Sequence, residues 1–146
     1  MGKDQFFKEL DEVSPSLGPA GTEHILIIDE EAATTKLYQI VLQNLGYQVT
    51  AFNDSIGALN VFRSQQESFD LVFSNHAMPK LNGTHLYREV FKLRENIPFI
   101  LTTDHSCDIS KEDLYREGIK YYFMKPLKLN IFTKKLREIL DESIEK

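Results

Sequence analysis

The chain has 146 residues, 42% of them hydrophobic and 27% charged, which is one domain's worth of core and excludes a disordered, collagen-like or purely repetitive chain. A net charge of −5 argues against non-specific nucleic-acid binding as its main business. One cysteine, Cys107, permits no internal disulfide and no cysteine-held zinc or iron–sulfur centre. A reducing compartment fits, and with no signal-peptide pattern over Met1 to Leu10 and no run of about 18 apolar residues the sequence reads as cytoplasmic, with no membrane partner.

Asp4 to Val13 places Phe6, Phe7, Leu10 and Val13 on one helical face. A helix this short is unstable alone, so that face packs on the main domain, on another copy or on a further segment. Ser14 to Thr22 holds two prolines and two glycines and reads as a linker. The expected organisation is therefore an N-terminal helix and linker over residues 1–22 and one domain over 23–146.

From here strands alternate with helices. Ile25 to Ile28 is a continuous apolar run, as in a parallel strand covered on both faces. Glu31 to Leu45 follows with Leu37, Ile40, Val41 and Leu45 at helical spacing, and Gly46 closes it. Tyr47 to Phe52 reads as a strand, and Asp54 or Ser55 caps a helix carrying Ile56, Leu59 and Phe62. Leu71 to Phe73 is the third strand. Asn82-Gly83 reads as a turn before a helix whose apolar face is Leu86, Val90, Phe91 and Leu93. Phe99 to Leu101 is the fourth strand, Ser110 and Asp113 have capping-box spacing, and Gly118 ends that helix. Tyr121 to Met124 is the fifth strand, and Asn130 caps a last helix using Ile131, Phe132, Leu136, Ile139 and Leu140. Lys120, Lys125, Lys128, Lys134, Lys135 and Arg137 make this end locally basic, but Glu138, Asp141 and Glu142 dilute it into a solvated face with no direct nucleic-acid role.

Five βα units with short connections imply an α/β fold with an open parallel sheet covered on both sides. Ligands of such sheets bind beyond the carboxyl ends of the strands. Those ends offer Asp29-Glu30, Asn75-His76, Thr102-Thr103-Asp104 and Lys125-Pro126. Two acids, a hydroxyl and a lysine suit a hard cation such as Mg²⁺ and a phosphoryl group: carboxylate oxygens hold the metal, while hydroxyl and ammonium bind the anion. There is no Gly-rich phosphate loop, no HExxH and no GxSxG, and Cys107 lacks a catalytic setting, so the chain does not read as an enzyme.

Ile25 to Glu31, Asp70 to Pro79 with Leu81-Asn82-Gly83, Ile100 to Thr102, and Lys125-Pro126 together resemble the receiver domains of two-component response regulators, over His24 to Leu140. The resemblance implies a flavodoxin-like (βα)5 fold with strand order 2-1-3-4-5. It places Asp29 and Glu30 on the family's acidic metal-binding pair, with Glu for the commoner second Asp. Thr102 falls on its hydroxyl position, Lys125 on its phosphoryl-pairing lysine and Tyr122 on its aromatic switch. The Ala77 backbone carbonyl falls on a metal ligand, and Pro126 follows the family's cis peptide. Asn75 stands where the family has its phosphoacceptor aspartate. An amide oxygen is no anionic nucleophile, so this reading expects an atypical phosphorelay module, with weakened Mg²⁺ binding through Asp29, Glu30, Asn75 and Ala77. It would work by contact with a protein partner, whether a histidine kinase, an output domain or a second copy, through the fourth helix, fifth strand and fifth helix. The alternatives are a conventional phosphoacceptor whose native residue at position 75 is aspartate, and the receiver part of a larger regulator. His76 and His105 read as loop histidines rather than metal ligands.

Overall fold

The computed structural model describes residues 18–104 and 109–144. The helix expected over Asp4 to Val13, together with His105 and Cys107, lies outside the described residues. The elements are β1 (His24–Ile28), α1 (Ala32–Asn44), β2 (Gln48–Phe52), α2 (Ser55–Ser64), a 3-10 turn (Gln66–Ser68), β3 (Leu71–Asn75), α3 (Gly83–Leu93), β4 (Phe99–Thr103), α4 (Lys111–Glu117), β5 (Tyr121–Met124) and α5 (Leu129–Ile144). The strands form one parallel sheet in the order β2-β1-β3-β4-β5.

Period-two alternation along the strands divides the core. Leu26, Ile28, Val72 and Leu101 face one side, where Leu59 and Phe62 of α2, Leu86 and Val90 of α3 and Leu114 of α4 cover them. Ile25, Ile27, Leu71, Phe73 and Ile100 face the other, against Tyr38 and Leu42 of α1 and Phe132, Leu136, Ile139 and Leu140 of α5. The Phe73 and Phe132 rings stack at 4.6 Å. At about 1.5–3 kcal/mol per fully buried large apolar side chain, these two layers supply the main drive to fold. Because both faces are covered, β3 and β4 are buried throughout.

The caps follow local chemistry. The Asp54 carboxylate accepts from the amides of Ile56 and Gly57, and Ser110 with Asp113 closes a capping box on α4, which ends at Gly118 in the left-handed region. Asn82 does more than turn the chain: its Oδ1 accepts from the His85 amide at 3.0 Å and caps α3. Asn130 is not the cap of α5. The Lys128 carbonyl already accepts from the Ile131 and Phe132 amides, so the helix begins at Leu129 and Asn130 lies inside its first turn. Three side chains expected in the core are exposed instead, Ile56 at 39%, Phe91 at 46% and Ile131 at 52%, because each lies at the edge of its helix's apolar stripe, past the reach of the sheet. Among the described residues no helix is long and apolar enough to cross a membrane.

Candidate functional site

The carboxyl ends of β1, β3, β4 and β5 converge. Asn75 ends β3 and pairs in register with Thr102 of β4, while Asp29 directly follows β1 and Lys125 directly follows β5. The backbone ties these ends together through the His76 amide on the Thr102 carbonyl at 2.8 Å and the Lys125 amide on the Thr103 carbonyl at 2.7 Å. The Lys125–Pro126 peptide is cis. Gly83 lies against this junction so closely that a Cβ on it would come within 2.7 Å of the Asn75 carbonyl oxygen and 2.8 Å of the His76 Cα.

Asp29 is 2% exposed. Its Oδ2 takes the Lys125 ammonium at 2.8 Å and its Oδ1 the Glu31 amide at 3.0 Å. The Asn53 side-chain amide donates to the Asp29 carbonyl at 2.8 Å and to the Thr35 hydroxyl at 3.0 Å, holding the turn after β1 against α1. Glu30 is exposed. Asn75 is 8% exposed. Its Nδ2 donates to the Ala77 carbonyl at 2.9 Å and its Oδ1 accepts from the Thr102 hydroxyl at 3.3 Å. Since a carbonyl oxygen only accepts, the Ala77 bond fixes which way the carboxamide faces. Tyr122 is half-buried and packs on the α2/α3/α4 side of the core.

His76 lies at the rim with its Nδ1 buried and unpartnered. Burial, and secondarily the nearby His85, hold its pKa below the ordinary value of 6.5. The unfolded chain therefore takes up this proton first as pH falls. The contribution of His76 to stability is intact above pH 6.5 and declines as the pH drops below it. In an NMR titration the His76 ring should titrate below pH 6.5, and His76→Gln should flatten the loss of stability just below that pH.

The response regulator receiver domain family matches residues 25–137. The chain belongs to this family. It is 30% identical over 110 residues to the two-component response regulator ARR14 of Arabidopsis thaliana, covering 75% of this chain and 28% of that one. The chain thus spans little more than a quarter of that relative's length. A CheY-like receiver domain protein from Methanospirillum hungatei superposes with a TM-score of 0.76 at 26% identity, over 86% of this chain and 98% of that one. The receiver domain of a sensor histidine kinase from Pseudomonas aeruginosa, solved with magnesium in its active site cleft, shares the fold at a TM-score of 0.69 and 24% identity, over 86% and 100% of the two chains.

In this receiver the residues implied by resemblance do come together in part. At the converging strand ends Asp29 bonds Lys125 and Asn75 bonds Thr102, two separate pairs, while Glu30 is exposed. A hard cation at these donors would share or displace hydrogen bonds already in place. Both Asp29 oxygens are engaged, the Ala77 carbonyl is occupied by an N–H donor, and among the described residues no group of three or more His, Cys, Asp or Glu is placed to hold a metal ion. Two further residues shape this geometry: Asn53, which the sequence reading passed over, and Gly83, which it offers only within a turn and the receiver pattern. Asn53 follows β2, and the signal that points to it is the rule that ligands of a parallel sheet lie beyond the carboxyl ends of its strands. Gly83 matters through its missing Cβ, a close approach visible only once β3 and α3 are packed.

Proposed function

We propose that this receiver is a protein-contact module of two-component signalling whose state is not set by phosphoryl transfer to position 75. The observation that carries this reading is the Asn75 carboxamide, which donates to Ala77 and accepts from Thr102. A carboxylate nucleophile attacks phosphorus through an anionic oxygen, and the amide has none. The carboxamide also supplies an N–H donor at the Ala77 carbonyl, where the receiver pattern would place a metal, so Mg²⁺ binds weakly or not at all.

The contact face is α4, β5 and α5. It carries exposed Ile131, half-buried Tyr121, Tyr122 and Phe123, and exposed Lys134 and Lys135, which line a shallow cavity of about 330 Å³. An apolar floor rimmed by Lys120 and Lys134, with Lys135 paired to Glu138 at 3.4 Å, suits a protein surface that carries acidic groups, as on a histidine kinase, an output domain or a second copy. Ile131→Asp should lower association with a partner or with itself at least tenfold while the melting temperature stays within a few degrees, because Ile131 is already exposed. Sedimentation and methyl NMR of the full chain, with and without Mg²⁺ and acetyl phosphate, test the whole reading. No response of the α4–β5–α5 resonances to acetyl phosphate supports it, and a Mg²⁺-dependent shift of that face with a phosphoryl adduct on the unaltered protein overturns it. The retained Asp29, Thr102 and Lys125 favour a second reading, in which aspartate at position 75 gives a working phosphoacceptor.

A further inference from the structure

Ahead of β1 the chain does not leave the domain freely. Gly18 to Glu23 lies along α5. The Arg137 guanidinium donates to Glu23 Oε1 at 3.0 Å and to the Tyr47 hydroxyl at 3.3 Å, and this bond holds the Glu23 carboxyl below the usual carboxylate range. The Gly21 amide donates to the Leu45 carbonyl at 3.0 Å, at the end of α1. Both glycines are tightly seated. A Cβ on Gly21 would come within 2.2 Å of the Tyr47 ring and 2.6 Å of Arg137, and one on Gly18, at φ +139°, within 2.3 Å of the Thr133 hydroxyl. The stretch read as a linker from its prolines and glycines is, from Gly18 onward, a packed strap.

The strap has a direction. Gly21 sits at Arg137 and Gly18 at Thr133, one turn earlier on α5, so the strap runs toward the N-terminal end of α5, where Leu129 lies one turn further back. Leu129 packs with Leu37, Ile40 and Leu45 of α1 around Val41, and all four are only partly buried. This is an apolar strip between α1 and α5, on the side of the sheet away from α2, α3 and α4. Lys36 and Lys128, adjacent in sequence to Leu37 and Leu129, are exposed.

We infer that the strip is the docking site of this chain's own residues 4–13. Those residues bring Phe6, Phe7, Leu10 and Val13 at helical spacing and four acids, Asp4, Glu9, Asp11 and Glu12, against one lysine. Apolar face matches apolar strip, and net negative charge matches the flanking lysines. The four residues Ser14 to Leu17 reach roughly 14 Å when extended, more than twice the roughly 6 Å between residues one turn apart on α5. So short a tether keeps the segment at an effective concentration on the order of millimolar, and an external partner for α1 has to displace it.

The test uses the full chain with methyl NMR and a soluble paramagnetic agent. Phe6→Ser/Phe7→Ser/Leu10→Ser should shift the methyl resonances of Leu37, Ile40 and Leu129 and remove their protection from the agent, leaving Ile100 and Leu101 in the sheet unmoved. Ile40→Lys should release the amides of residues 4–13 to fast hydrogen exchange without altering the strap. Unchanged strip methyls in the triple variant overturn the inference. So does a response confined to the α4–β5–α5 face, or one that disappears on dilution, which would assign the strip to a second copy.

Discussion

Asn75→Asp is expected to give a site that takes up a phosphoryl group. With acetyl phosphate and Mg²⁺, intact mass should show a single phosphoryl adduct on the variant and none on the unaltered protein. The carboxylate oxygen attacks phosphorus, acetate leaves with the bridging electron pair, and an aspartyl phosphate forms. The same change carries a stability signature. In Asn75, itself only 8% exposed, Nδ2 donates to the Ala77 carbonyl at 2.9 Å. Aspartate replaces that donor by an acceptor and brings a second carboxylate near Asp29, so the metal-free variant should lose about 1–3 kcal/mol. Millimolar Mg²⁺ should restore most of that loss in the variant by mass action and change the unaltered protein little. A variant that folds, is insensitive to Mg²⁺ and takes no phosphoryl group would show that the pocket has lost more than its nucleophile.

The sheet order and the two-sided core were legible because the information is local and periodic. Ile25 to Ile28 is apolar at every position and mostly β-branched, as a strand covered on both faces requires, and each of the five runs is followed by a helical pattern. The caps at Asp54 and Ser110 were legible for the same reason, since a side chain that bonds two or three residues ahead leaves its mark in the spacing. What periodicity does not carry is the distance from a helix to its neighbour. Phe91 and Ile131 fit the apolar spacing of α3 and α5, yet face solvent. In the site, which residues meet followed from the rule that parallel strands end together. How they bond did not follow. Nothing in the order of residues says that the Asn75 amide turns its N–H to Ala77 rather than its oxygen, or that Glu30 is exposed while Asp29 is buried beside Lys125.

That last contact supports the second large effect. The Asp29 and Lys125 side chains are 3% and 24% exposed and 2.8 Å apart, so their attraction is little screened by solvent or salt. Forming such a pair costs desolvation, and its net stabilisation over an apolar pair is small. Removing one partner is another matter. Lys125→Met leaves a buried carboxylate with the Glu31 amide as its one remaining side-chain hydrogen bond, and should destabilise by about 3–5 kcal/mol, a fall of roughly 10–15 °C in melting temperature. Adding Asp29→Asn to that variant removes the stranded charge and should recover a large part of the loss, so the two changes together cost less than their sum. The coupling measured by that double-mutant cycle should hold at 0.5 M salt, where an exposed pair would lose it. A Lys125→Met loss under about 1 kcal/mol would instead mark the contact as an ordinary surface bridge.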